Sequence, residues 1–251
     1  MTLSYDPPKL DFLAGSQFHS ERLRPTQRDT VQSIHRMSDT DLLIKPQVPL
    51  ATLTSFRVGG PAEWYVAPRS LTELQASFAW AESEGIPVTL LGAGSNLLIS
   101  DRGLAGLVIG TRRLRHSHFD PTTGQVTVGA GEPLPRLAWQ VAAQGWEGLE
   151  WSVGIPGTVG GAVVMNAGAH AGCIADYLIS ATVLLPDGSV QVLTPQDLNY
   201  RYRTSNLQGK NWLVTEATFQ LQPGADPDRV IAMTHHHLNH RRNTQPYHMP
   251  S

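Results

Sequence analysis

The chain has 251 residues, enough for one large domain or two small ones with real cores. Hydrophobic residues make up 41% of it and charged residues 16%, which excludes general disorder. The formal net charge is −2, and the single basic run, Arg112 to His116, is short, so no nucleic-acid partner is expected.

Gly (23) and Pro (18) are plentiful, which suggests tight turns and backbone-built sites rather than long bundles. Cys173 is the sole cysteine, so no intramolecular disulfide is possible, and a reducing compartment is expected. Met1 to Arg28 is polar and lacks the charged-then-apolar order of a signal peptide. No run approaches ~20 apolar residues, so no transmembrane helix is expected. The reading is a cytoplasmic protein with no membrane partner.

In chain order, residues 1–45 are rich in Ser, Asp, Arg, His and Pro and read as a flexible N-terminal extension, with a short helix over Asp39 to Ile44. Order is expected from Pro49 onward. Trp64 to Ala67 reads as a strand. Ser70 followed three residues later by Glu73 forms a capping-box pattern, opening a helix to Glu84 that stops at Gly85. Pro87 to Leu91 suits a buried strand, Gly92 to Asn96 a loop, and Leu97 to Ser100 a second strand. Leu107 to Gly110 and Gln125 to Gly129 read as strands, with Arg112 to His116 as a solvated strand end. Leu134 to Ala143 has helical spacing and ends at Gly145. Ile179 to Leu185 and Ser189 to Leu193 flank Pro186-Asp187-Gly188, a hairpin signal. Trp212 to Leu221 alternates as a long strand. Asp226 then caps, Pro227 takes the first helical position, and a helix runs to about Arg241. The layout is α+β with two strand-rich lobes.

Three segments carry chemistry. Gly92-Ala93-Gly94-Ser95-Asn96 lies between predicted strands. Glycine permits backbone angles that let successive N–H groups converge on an anion, and a diphosphate is the natural guest. An isolated loop of this kind is otherwise an ordinary turn. It completes neither a Rossmann fingerprint nor a P-loop. The second segment, Gly154 to Gly168, holds glycines that bring backbone close to a flat ligand, or equally open a tightly packed helix. In the third, Tyr200-Arg201-Tyr202-Arg203-Thr204-Ser205, alternation in an extended segment puts both arginines on one face and both tyrosines on the other. Such arginines bind an anion or sit on the surface.

These segments follow Thr54-Ser55-Phe56-Arg57-Val58-Gly59-Gly60-Pro61-Ala62 in order. With TSFRVGGPA (54–62), LGAGSNLL (91–98), GIPGTVGGAVVMNAGA (154–169) and YRTS (202–205), the chain resembles the UDP-N-acetylenolpyruvoylglucosamine reductase family from about Leu50 onward. The resemblance implies the vanillyl-alcohol-oxidase-like (PCMH-type) FAD-binding fold of two lobes over 46–223, followed by the start of a truncated third domain at 224–251. It implies that NADPH reduces FAD and that the hydride then passes to the enolpyruvyl group of a UDP-sugar. Gly92, Ala93, Gly94, Ser95 and Asn96 would hold the diphosphate. Gly154, Ile155, Pro156, Gly157, Thr158, Gly160, Gly161, Asn166 and Gly168 would line the flavin, and Arg57 is a further cofactor residue. Arg203 would stabilise charge at the substrate carboxylate, with Tyr202 and Arg241 as substrate residues. The loop contains no His, so the flavin is expected to be non-covalent.

The family's third domain supplies a proton-donor Ser, in a Cys-Gly-Ser-Val-Phe-like motif, and a late Glu. Ser251 matches the serine preceding that motif and is not assigned the donor role, so substrate turnover by these 251 residues is expected to be impaired. The cluster His235-His236-His237 with His240 reads as a solvated face rather than a metal site, and Cys173 as a small buried residue.

Overall fold

Two five-stranded sheets, each with its own helices, organise the computed structural model, which describes residues 35–36 and 42–245. These described residues belong to one compact unit. In the first lobe, β1 (His35–Arg36), β2 (Leu43–Pro49), β3 (Pro61–Val66), α1 (Leu71–Ser83), β4 (Val88–Leu91) and β5 (Leu104–Gly110) give the sheet order β1-β2-β3-β5-β4. The β1–β2 and β2–β3 pairs are antiparallel, whereas β5 runs parallel to both β3 and β4.

The second lobe contains β6 (Ser117–Asp120), β7 (Gln125–Gly129), α2 (Leu134–Ala143), α3 (Val159–Met165), a small hairpin of β8 (Gly168–Ala169) and β9 (Gly172–Cys173), then β10 (Leu178–Leu184), β11 (Val190–Leu193), α4 (Pro195–Leu198), β12 (Leu213–Gln220) and α5 (Pro227–Thr244). Its sheet has the order β11-β10-β12-β7-β6 and is antiparallel throughout.

The larger core lies under the second sheet, where Val126, Val128, Ala217 and Phe219 meet Leu134, Leu137 and Val141 of α2 and Val159 and Val163 of α3. Each fully buried side chain of this size contributes roughly 1.5–3 kcal/mol of transfer free energy. A second cluster joins Leu74 and Phe78 of α1 to Leu107 and Ile109, and Leu184 and Leu213 of the other sheet complete it, so the lobes share apolar contact.

Capping chemistry sets the helix starts. The Ser70 hydroxyl accepts from the Glu73 N–H at 3.2 Å, while the Glu73 carboxylate reaches one residue further back, to the Arg69 N–H at 2.6 Å. The box is thus displaced by one residue at its return arm. Asp226 accepts from the Asp228 N–H and Pro227 follows it, as the sequence predicts for α5. That helix packs on α2 through a Trp139–His235 ring contact of 4.7 Å, and an Arg229–Glu147 ion pair of 2.7 Å ties it to the segment that follows α2. Gly188, with φ of 81°, turns the β10–β11 hairpin.

Several expectations need correction. Leu43 and Ile44 lie in a strand, not a helix: burial alternates along β2, with Ile44 fully buried, and order therefore starts before Pro49. Residues 1–34 and 37–41, including the rest of the expected extension, lie outside the described residues, as does 246–251. Leu97 to Ser100 forms no strand. Leu98 is 76% exposed and only Ile99 of the apolar run is buried, against Gly59, so no sheet edge recruits it. The Tyr200–Ser205 segment is a tight turn, as described below.

Candidate flavin site

Strand β4 delivers the first component. It ends at Leu91, and Gly92 to Asn96 leave its C-terminal end without regular structure. Gly94 has φ of 65°, and a Cβ there would meet the Leu53 carbonyl oxygen and lie 2.9 Å from the Thr54 Cα. The loop is docked onto residues 53–55, with the Ser55 N–H donating to the Gly94 carbonyl at 3.1 Å. Among the described residues, the backbone N–H groups of Ala93, Gly94, Ser95 and Asn96 find no hydrogen-bond acceptor.

The second component comes from the other lobe. Residues 157–160 run beside the β7–α2 turn, held by Leu134 N–H to Gly157 O (3.0 Å), Val159 N–H to Glu132 O (2.9 Å) and Gly160 N–H to Ala130 O (2.9 Å). The Thr158 hydroxyl then caps α3 by accepting from Gly161 N–H. The two components meet. The Ser95 hydroxyl donates to the Pro156 carbonyl at 3.2 Å, and the Asn96 amide donates to the Met165 sulfur at 3.7 Å.

Between them lies a cavity of about 810 Å³, lined by Gly92 to Asn96 and by Ile155, Pro156, Gly157, Thr158, Gly160, Gly161 and Gly168. Its volume is at the upper end of the range for cofactor-sized sites, roughly 300–1,000 Å³. Arg203, Lys210 and Arg241 also line it, and no Asp or Glu does among the described residues. A cavity with three cations, no carboxylate and a row of unbonded N–H groups suits a large anion with a flat apolar part.

The sequence signals come together unevenly. Asn166 is buried and structural: its amide donates to the Arg201 carbonyl and its side-chain oxygen accepts from the Ala175 N–H. Gly154 packs against the methylenes of Arg241 instead of lining the cavity. Arg57 sits in the exposed turn that starts at Thr54, whose carbonyl accepts from the Arg57 N–H, and is not on the cavity wall.

The alternation expected for Tyr200 to Ser205 does not occur. Arg201 and Thr204 bond to each other across a turn in which Arg203 takes φ of 56°. Tyr200 is therefore turned into the protein, its phenol pushed well up by burial, while Tyr202 stays 87% exposed. Only Arg203 of the two arginines faces the cavity. Its guanidinium donates to the Gly168 carbonyl at 2.5 Å and stands 5.1 Å from the centre of the Tyr202 ring.

Sequence reasoning missed Lys210, which stands 4.2 Å over the Trp212 ring, both on the cavity wall. A cation next to an aromatic just past the Tyr-Arg-Thr-Ser segment was the available signal. It also missed Arg112, considered below. Close in sequence to the cavity residues Gly168 and Arg241, His170 lies 4.6 Å from His237 and 5.2 Å from His240. The described residues hold no group of three or more His, Cys, Asp or Glu able to take a metal ion. The Cys173 thiol is half-buried and pushed up by burial and by Asp176, which disfavours a reactive thiolate.

Residues 62–194 match the FAD binding domain family. The UDP-N-acetylenolpyruvoylglucosamine reductase of Nostoc punctiforme is 62% identical over 242 residues, which is 95% of this chain and 73% of that protein. The chain belongs to the UDP-N-acetylenolpyruvoylglucosamine reductase family. The family member from Synechocystis sp. is 52% identical, with 92% of this chain and 73% of the relative covered. The solved UDP-N-acetylenolpyruvylglucosamine reductase of Thermus caldophilus superposes with a TM-score of 0.69 at 32% identity, over 81% of this chain and 71% of that one. A 6-hydroxy-D-nicotine oxidase from Arthrobacter nicotinovorans, at 19% identity and a TM-score of 0.55 over 69% of this chain and 39% of its own, shares the fold alone. The α+β architecture of the reductase family and of the wider vanillyl-alcohol-oxidase-like group is thus established, together with FAD as cofactor. The chain spans 64–73% of the length of relatives such as those from two Nostoc strains. No described helix is long and apolar enough to cross a membrane.

Proposed function

We propose that this chain holds FAD non-covalently and serves the NADPH-dependent reduction of UDP-N-acetylenolpyruvoylglucosamine to UDP-N-acetylmuramate, a step of peptidoglycan precursor synthesis in the cytoplasm. The observation that carries this reading is the cavity wall, with unbonded N–H groups at one end and Arg203, Lys210 and Arg241 around it. FAD, when bound, supplies a two-electron carrier that takes hydride from NADPH and passes it to the terminal carbon of the enolpyruvyl double bond.

The chain's own residues do the rest. Ala93 to Asn96 present N–H donors to the diphosphate, and Gly157 and Gly161 leave a face without side chains for the flavin ring, while Gly160 lets α3 pack close behind it. The loop carries no His or Cys to which a flavin could be tethered. Arg203 is held by the Gly168 carbonyl beside that face. Its guanidinium keeps its charge at any working pH, so it stabilises negative charge developing toward the substrate carboxylate without competing for the proton. Arg241 and the exposed Tyr202 are the substrate-side contacts, Arg241 toward the diphosphate of the UDP-sugar. The proton delivered to the neighbouring carbon comes from a group outside the described cavity wall.

Anaerobic stopped-flow tests both halves. NADPH should bleach the bound flavin at the parent rate in Arg203→Lys, while product formation from the UDP-sugar should fall about 10²-fold relative to the parent, the typical cost of one misplaced charge-stabilising donor. Equal product formation by Arg203→Lys and the parent would remove Arg203 from the chemistry. Absence of flavin reduction by NADPH would overturn the nicotinamide reading.

A further inference from the structure

Behind the Gly92–Asn96 loop, on the side away from the cavity, lies a side chain that sequence reasoning read as part of a solvated strand end. The Arg112 guanidinium donates through Nε to the Gly92 carbonyl at 3.2 Å, and through Nη2 to the Ala93 carbonyl at 2.6 Å and the Leu53 carbonyl at 2.8 Å. Arg112 does not line the cavity, whereas Gly92 and Ala93 do. The parallel pairing of β4 with β5 puts it there: Leu91 lies opposite Gly110, so two residues on, Arg112 comes alongside Ala93.

A peptide unit is planar and trans, so its carbonyl and the N–H that follows point in opposite directions. Fixing the Gly92 carbonyl toward Arg112 turns the Ala93 N–H the other way, and fixing the Ala93 carbonyl turns the Gly94 N–H likewise. These are the N–H groups that find no acceptor among the described residues. Arg112 also ties the loop to Leu53, next to the segment on which Gly94 docks. A lysine at this position retains the charge but has a single nitrogen, which cannot hold three carbonyls in one plane as the fork does.

We propose that Arg112 is a positioning residue for the cofactor diphosphate: from behind the loop it holds the Gly92 and Ala93 carbonyls away from the cavity and so presents the Ala93 and Gly94 N–H groups to the phosphate oxygens. This rests on the assignment of the loop to the FAD diphosphate. Arg112 needs no contact with the cofactor to act.

The test measures affinity of the flavin-free 251-residue chain for FAD and for riboflavin, which lacks the diphosphate, by quenching of flavin fluorescence. Arg112→Met should weaken FAD roughly tenfold or more, since three hydrogen bonds from a charged donor are lost, while riboflavin affinity stays within about twofold. Arg112→Lys should lose most of the same preference. A residue needed only for general stability would lower both affinities together, and that result, or an unchanged FAD-to-riboflavin ratio in either variant, would overturn the proposal. If Arg112→Met does not fold, Arg112→Lys alone decides between the two outcomes. Failure of the parent itself to bind FAD would instead sink the loop assignment, which keeps the two failures distinct.

Discussion

The two glycine-rich segments of this molecule use glycine for different physical reasons. In Gly92 to Asn96, glycine provides conformation: Gly94 has φ of 65° and rests against backbone of residues 53 and 54, and the loop keeps its N–H groups unbonded. In Gly154 to Gly168, glycine mostly provides proximity. Gly160 has helical backbone, yet a Cβ there would lie 2.8 Å from the Ala130 Cβ, so it lets α3 sit against the end of β7. Gly161, one residue on, faces the cavity with nothing nearer than 3.6 Å to an added Cβ. One loop leaves a row of backbone donors open at the cavity. The other is a packed helix start with a single smooth face turned to the cavity.

The sharpest way to break that contrast is Gly94→Val. A β-branched residue is strained at positive φ and would press on backbone that cannot move aside. FAD affinity should fall at least about a hundredfold, or roughly 2.7 kcal/mol, by fluorescence titration. Retention of FAD at parental affinity would reduce the loop to a plain turn.

A smaller effect separates the two neighbours in α3. Gly160→Val should lower stability by about 1–3 kcal/mol through overpacking against Ala130. Gly161→Ala should raise apoprotein stability by up to about 1 kcal/mol from helix propensity, yet weaken FAD. Thermal unfolding and flavin titration of both variants check this. Opposite signs in stability are the expected result, and equal losses in both would show that proximity and ligand access are not divided between the two positions.

The smallest expected effect concerns the histidine cluster. Burial, then the neighbouring imidazoles and Arg241, hold the His170 pKa below its ordinary value, and His237 is lowered by burial and its His neighbours. The unfolded chain therefore binds protons more readily, so this part of the stability is full above about pH 6.5 and is lost as pH falls through the lowered folded values. The melting temperature should decline below about pH 6.5, and less so in His170→Asn, which tolerates the positive φ of 50° at that site. An identical acid slope in that variant would acquit the cluster.

Local rules carried much of the fold. Gln125–Gly129 and Leu134–Ala143 coincide with β7 and α2 because alternation, helical spacing and a stop at Gly145 all agree there. The cap of α5 was equally legible, since Asp226 and Pro227 act within one turn. What failed depended on distant partners. Leu97 to Ser100 looks like a strand but has no neighbouring edge to pair with. Tyr200 to Ser205 alternates in sequence, yet Asn166, 35 residues away, takes the Arg201 carbonyl and helps hold the turn. Arg112 gave no local sign at all. Its role comes from the parallel register of β4 and β5, which sequence patterns do not encode.

Hydrogen exchange of the backbone amides at residues 93–96 tests the central claim most directly. These N–H groups are unbonded in the protein alone and should exchange rapidly. Addition of FAD should slow them strongly, and addition of riboflavin should not, because only FAD brings a diphosphate. Equal protection by both ligands, or protection by FAD that bypasses residues 93–96, would contradict the account.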